Sequence, residues 1–241
     1  MRALIRLMRM LAHVGTGLWT IYRHFPAMDP IARDNAVQAW ANAMLNCIGV
    51  RVQVFGEVPK TGPVLLVSNH ISWLDILVMH AARHCRFISK ADIAHWPLVG
   101  ALATAGGTIY ITRESRRDAL RVVHHMADCL RAGDVLAVFP EGTTGDGSTV
   151  LPFHANLLQA AISADAPVVP IGLRFTNART GLPSFAPCYI GNDTLVGSVW
   201  RTLCAHDLVA VVKFGDAQHS AGRDRRAWSA DLREEVIALR N

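Results

Sequence analysis

Two short apolar runs, Pro63-Val64-Leu65-Leu66-Val67 and Val135-Leu136-Ala137-Val138, constrain this chain more than any other feature. Runs of this length, rich in β-branched residues, read as strands buried on both faces, as in a parallel sheet covered by helices. Each is followed within three residues by a chemistry-bearing side chain. The first leads to His70 in Asn69-His70-Ile71-Ser72-Trp73-Leu74-Asp75, and the second to Glu141 in Phe139-Pro140-Glu141-Gly142-Thr143-Thr144. The ends of buried strands are where α/β folds build their sites. A histidine titrating near neutrality is suited to general-base work.

The rest of the chain alternates in the same way. Asp29-Pro30 opens a helix, with Asp as N-cap and Pro at the first helical position. Val37, Trp40, Ala41, Met44, Leu45 and Ile48 mark one face of it, and Gly49 ends it. Val50, Val52 and Val54 alternate as a strand. Strand 64–68 leads through the His70 turn into a helix over about 72–83; strands are predicted at 86–89 and 108–112. Ser115-x-x-Asp118 has the form of a capping box for a helix running to Gly133. Strand 135–139, a helix across 155–164, strands 168–173 and 208–214, and a last helix with Trp228, Leu232, Val236 and Leu239 on one side complete the pattern. The expected fold is α/β, with a mixed, mostly parallel sheet covered by helices. Residues 1–49 are expected to form an N-terminal helical membrane-docking segment, and residues 50–241 the α/β domain.

Of the 241 residues 51% are apolar and only 18% charged, so surplus hydrophobic surface must be buried or meet lipid. A net charge of +5 favours an anionic partner. The basic residues form no long run interleaved with aromatics, which argues against nucleic acid. The five cysteines include no C-x-x-C pair and fit small core residues in a reducing compartment. No H-E-x-x-H or similar spacing occurs, and no metal site is expected. At the N-terminus, Arg2, Arg6, Arg9 and His13 recur at helical spacing opposite Leu4, Ile5, Met8 and Leu11. This reads as a basic amphipathic helix lying in an anionic membrane surface. A second charge-free run, Ile93 to Thr112, holds Pro97 and Gly106-Gly107, and reads as a helix followed by a strand rather than a spanning segment.

The motifs carry a resemblance. His70 and Asp75 are similar to the H-x4-D motif of the glycerolipid acyltransferases, the family of lysophosphatidic acid acyltransferases, and Phe139–Thr144 to its F-P-E-G block. Gly107-Thr-Ile-Tyr-Ile-Thr-Arg113 resembles the block between them, and Val169-Pro170-Ile171 the V-P-I block that follows. The longer run from Phe139 to Gly147, with Leu151-Pro-Phe-His-Ala-Asn-Leu-Leu-Gln159, resembles a bacterial branch that includes lyso-ornithine-lipid acyltransferases.

The resemblance implies transfer of a fatty acyl chain from acyl carrier protein or acyl-CoA, as co-substrate and without a cofactor, to the free hydroxyl of a lyso-lipid. It implies that His70 takes the hydroxyl proton and Asp75 orients His70, with Arg113, Glu141, Gly142 and Thr143 around the acceptor's polar head. Five residues on an ideal helix are about 140° apart. His70 must therefore precede the helix and Asp75 lie in its first turns. Ser72-x-x-Asp75 is also a capping-box pattern, which gives Asp75 a second reading. Thr144 stands where much of the family has an arginine, which opens the acceptor to a lyso-aminolipid such as lyso-ornithine lipid. A lipid hydrolase or thioesterase, and a non-catalytic lipid-binding module, are the readings of other classes; no G-x-S-x-G serine supports the first. The expected location is the cytoplasmic face of the bacterial inner membrane, as a peripheral or monotopic protein. Residues 176–241 lie beyond the motifs and receive only structural roles.

Overall fold

Strands β1 (Val50–Phe55), β2 (Val64–Ser68), β3 (Arg86–Lys90), β4 (Ile109–Ile111), β5 (Val135–Val138), β6 (Val168–Asn177) and β7 (Leu208–Phe214) form one seven-stranded sheet in a computed structural model. Its order is β1-β7-β6-β2-β5-β3-β4, and every neighbouring pair is parallel except β6 and β7. The helices are α1 (Arg2–Arg23), α2 (Pro30–Ile48), α3 (Leu74–Ala82), α4 (Val99–Ala105), α5 (Arg116–Arg131), α6 (Leu158–Ala164), α7 (Leu195–Cys204) and α8 (Arg225–Arg240). The structure describes residues 1–111 and 116–241. The expectations for Arg113 and for the Ser115 cap lie outside the described residues.

The all-apolar reading of β2 follows from its central place. Val64 and Leu66 face one core with Met44, Leu45 and Ile48 of α2 and Leu74 and Val78 of α3. Leu65 and Val67 face a second core with Met126 and Leu130 of α5, Leu158 of α6, and Trp228 and Leu232 of α8. A strand covered by helices on both sides has no polar face to show. Local signals delimit the helices as the sequence predicts at α2: Asp29 Oδ1 accepts from Ala32 N–H at 2.8 Å, and Gly49 turns left-handed at φ 80°.

Helix α1 presents its two stripes to different surroundings. Ala3, Leu7, Met10 and Val14 pack against the core, and the half-buried Arg6 and His13 turn inward beside them. Arg6 Nη1 donates to the carbonyls of Leu203 and Ala205, at 2.9 and 2.6 Å, at the C-terminus of α7. Those carbonyls lack intrahelical partners, and a guanidinium satisfies both at the negative end of the helix. Arg2 reaches His206, and His13 Nε2 lies 3.0 Å from the Trp40 carbonyl. The guanidinium of Arg6 also covers Gly49, where a Cβ would stand 2.2 Å from Nη2. Leu4, Ile5, Met8 and Leu11 are each at least half exposed, joined by Trp19 and Tyr22. The apolar stripe therefore faces outward, and of the basic stripe Arg9 is exposed with no hydrogen bond to a described residue. Among the described residues, no helix is long and apolar enough to cross a membrane.

Candidate active site

Parallel neighbours that end together bring the two motifs to one rim. Val67 of β2 pairs with Val138 of β5, so the chain leaves both strands side by side, towards His70 and Glu141. Asn69 extends the ladder with its side chain. Its side-chain amide donates to the Leu173 carbonyl at 2.9 Å, and its Oδ1 accepts from Leu173 N–H at 2.8 Å. The turn that follows is thereby pinned to β6.

Helix α3 starts at Leu74, so His70 lies on the turn before it and Asp75 in its first turn, as the five-residue spacing requires. Asp75 is fully buried. Its Oδ2 accepts from His70 Nδ1 at 2.8 Å, Ile71 N–H at 2.6 Å and Ser72 N–H at 2.9 Å. One carboxylate oxygen makes the contacts of both readings: it ties down the backbone at the helix entry and bonds the imidazole. A carboxylate oxygen accepts, so Nδ1 is the donor in this contact, and in the neutral ring Nε2 then keeps its lone pair. The His70 side chain is 20% exposed, and no described residue hydrogen-bonds Nε2. The site offers a base with one nitrogen anchored and the other open.

Glu141 is buried, and its two oxygens reach in opposite directions. Oε1 accepts from the His70 backbone N–H and Oε2 from the Leu151 N–H, both at 2.7 Å. Burial pushes its carboxyl above the usual range, and the two N–H groups work against that shift. The carboxylate clamps the His70 turn to the loop after β5. Gly142 closes that turn at φ 73°, a left-handed value that favours glycine, and its N–H donates to the Phe139 carbonyl at 3.1 Å. Gly142 and Thr143 are exposed on the rim. Gly145 N–H donates to the His70 carbonyl at 2.9 Å, so the backbone of His70 is held on both sides.

A third segment, from the region given only structural roles in the sequence, covers the site. Tyr189 N–H donates to the Ile71 carbonyl at 3.2 Å, and the Thr144 hydroxyl donates to the Tyr189 carbonyl. Ser72 donates its hydroxyl to the Pro187 carbonyl. Helix α7 braces this segment from behind. Ser198 Oγ donates to the carbonyls of Pro187 and Cys188 at 3.1 and 3.2 Å and accepts from Trp73 Nε1 at 3.1 Å. The one local signal for α7 is Thr194, whose hydroxyl caps Gly197 N–H at 3.1 Å. Nothing in the sequence links that cap to His70, because the contact spans more than a hundred residues.

A partly exposed histidine held by a buried carboxylate at the C-terminal rim of an α/β sheet is an arrangement typical of enzyme sites, and similarity to known proteins gives the family. Residues 49–174, just over half of the chain, match the family model described as Acyltransferase, and the chain belongs to that family of acyltransferase enzymes. It is 32% identical to a lyso-ornithine lipid O-acyltransferase of Pseudomonas aeruginosa, over 98% of this chain and 92% of the relative. It is 35% identical to a 1-acyl-sn-glycerol-3-phosphate acyltransferase of Neisseria gonorrhoeae, over 87% of this chain and 82% of the relative. The fold is shared with the crystal structure of the 1-acyl-sn-glycerophosphate acyltransferase PlsC from Thermotoga maritima, at a TM-score of 0.66 and 18% identity, over 99% of this chain and 98% of that one.

Proposed function

We propose that this acyltransferase moves a fatty acyl chain from acyl carrier protein or acyl-CoA to the free hydroxyl of a lyso-lipid of the 1-acylglycerol-3-phosphate type. The observation that carries the reading is the His70–Asp75 pair, with Nδ1 bound at 2.8 Å and the ring partly open. The acceptor oxygen attacks the thioester carbonyl as its proton passes to His70 Nε2. Asp75, 0% exposed, stabilises the imidazolium that forms. The tetrahedral intermediate then expels the carrier's sulfur, which takes the proton back from His70 and leaves as the thiol. No acyl-enzyme and no cofactor is needed. Glu141 acts here as a brace for the His70 turn, while Arg113, Gly142 and Thr143 are candidates for the acceptor's head.

Lyso-ornithine lipid is the second acceptor supported by a specific observation. Thr144 stands at the position of an arginine in much of the family, and its hydroxyl is committed to the Tyr189 carbonyl. The outward stripe of α1, with Trp19 and Tyr22 exposed beside it, supports peripheral docking on the cytoplasmic face of the bacterial inner membrane. Its apolar side chains, more than Arg2 and Arg6, would make that contact.

The purified protein, given acyl carrier protein thioester with lysophosphatidic acid or lyso-ornithine lipid, is expected to form the doubly acylated lipid. Product with lysophosphatidic acid supports the first acceptor, and product with the ornithine lipid alone supports the second. Thioester hydrolysis without transfer to either would favour the hydrolase reading, and lipid binding without turnover the binding-module reading.

A further inference from the structure

We propose that Phe139 is a positioning residue for the reaction: the face of its ring holds the imidazole of His70 in plane and stabilises the charge that His70 acquires. The inference rests on His70 acting as the general base. The two rings are stacked with centroids 4.0 Å apart and planes 9° from parallel. Phe139 is itself backed by Phe87, stacked at 5.7 Å and 13°, and Phe87 meets the edge of His80 at 5.1 Å. The backbone of Phe139 is fixed by the end of β5 and by the hydrogen bond from Gly142 N–H. The ring therefore stands on a rigid column rather than on a mobile side chain.

The physics makes this contact differential. An aromatic face is negative, and a cation within about 6 Å of its centroid is attracted to it. A neutral imidazole gains only stacking, and an imidazolium gains the electrostatic term as well. A contact that strengthens as the proton arrives lowers the barrier instead of merely tightening the ground state. Asp75 and Phe139 thus divide the work. The carboxylate meets the ring edge at Nδ1, 2.8 Å away, and sets its tautomer. The aromatic face lies flat on the ring and bars the tilt that would swing Nε2 away from the acceptor hydroxyl.

Fluorination separates this role from simple packing, because each fluorine weakens the negative face while nearly preserving shape. Phenylalanine carrying one, two or three fluorines is placed at position 139, and single-turnover acyl transfer is measured with saturating lyso-lipid. The expected result is a stepwise fall in rate, to roughly a tenth with three fluorines, within the range of a desolvated cation–π contact, with KM changed less than about two-fold. Phe139→Leu should fall at least as far, and Phe139→Trp should retain most of the rate. A rate flat across the fluorinated series, with His70→Ala inactive, overturns the proposal and leaves the general base intact. A His70→Ala enzyme with near-full activity overturns both.

Discussion

His70 precedes helix α3 and His80 lies in its last turn, and the two are joined through one column of rings, yet their surroundings give them opposite characters. His70 has a buried carboxylate at 2.8 Å on Nδ1 and an open Nε2. His80, 7% exposed, has an Nδ1 with no hydrogen-bond partner among the described residues. Burial first, and the neighbouring His84 second, hold its pKa down to about 3. Desolvation without a counter-charge makes a histidine an apolar filler. A buried carboxylate on one nitrogen, with partial exposure of the ring, leaves the other nitrogen open to take a proton. Residue type alone does not decide which occurs, and four substitutions probe the difference.

The largest effect is expected at His70. His70→Ala should lower kcat/KM for acyl transfer by about a thousand-fold or more, while lipid binding to vesicles persists. Loss of only a few-fold would put the base elsewhere.

Asp75→Asn keeps the shape but removes the charge that sets the tautomer. A drop of about a hundred-fold or more in kcat is expected, with KM little changed. Because Asp75 also accepts from Ile71 and Ser72 N–H, a fall in Tm should accompany it. A stable, fully active variant would reduce Asp75 to a helix cap.

Glu141→Gln leaves one amide oxygen for two backbone donors, His70 N–H and Leu151 N–H, which now lie on separate oxygens. One buried donor then goes unpaired, at a cost of about 1–3 kcal/mol. We expect a lower denaturation midpoint and a roughly ten-fold loss of kcat through displacement of the His70 turn. If instead KM for the lyso-lipid rises with stability unchanged, Glu141 meets the acceptor directly.

The smallest effect on turnover belongs to His80. His80→Leu removes an unpartnered nitrogen and should leave activity within about two-fold. Its signature lies in stability against pH. The unfolded chain protonates this histidine below about 6.5, whereas the folded chain resists until about 3. Stability from this residue is therefore present above pH 6.5 and is lost as pH falls from 6.5 towards 3, by up to about 1.4 kcal/mol per unit. His84, lowered mainly by its own burial, acts in the same direction. Urea midpoints at pH 7.5 and 5 should converge in His80→Leu relative to the parent. An unchanged gap would mean that His80 does not carry the dependence.

Much of this was legible in local pattern. The apolar runs at 64–68 and 135–138 became central strands, and the Asp29 and Gly49 caps bounded α2. The five-residue spacing of His70 and Asp75, combined with helical periodicity, required the turn-then-helix geometry found at α3. Other features were not legible. Arg2 and Arg6 looked like lipid-facing cations, but partners some two hundred residues away took them, the unsatisfied end of α7 for Arg6 and the His206 ring just beyond it for Arg2. Asn69 shows no strand signal of its own, but a neighbouring strand offered its side chain both a donor and an acceptor. The cover from Pro187 to Tyr189 carries no motif because it acts through backbone carbonyls and N–H groups, which any sequence possesses.

By itself, the sequence determined the covered parallel strands, the helix ends, and the pairing of a histidine with a carboxylate across one helix entry. Those properties follow from periodicity, capping chemistry and short spacing, all of which act within a few residues. Tertiary structure alone decided that β2 and β5 lie side by side, so that Glu141 braces His70. It also decided that Phe139 lies flat on the imidazole, that the apolar stripe of α1 faces outward, and that His80 is stripped of water while His70 is not. Each depends on which distant surfaces meet, and so on long-range packing and desolvation that no local pattern encodes.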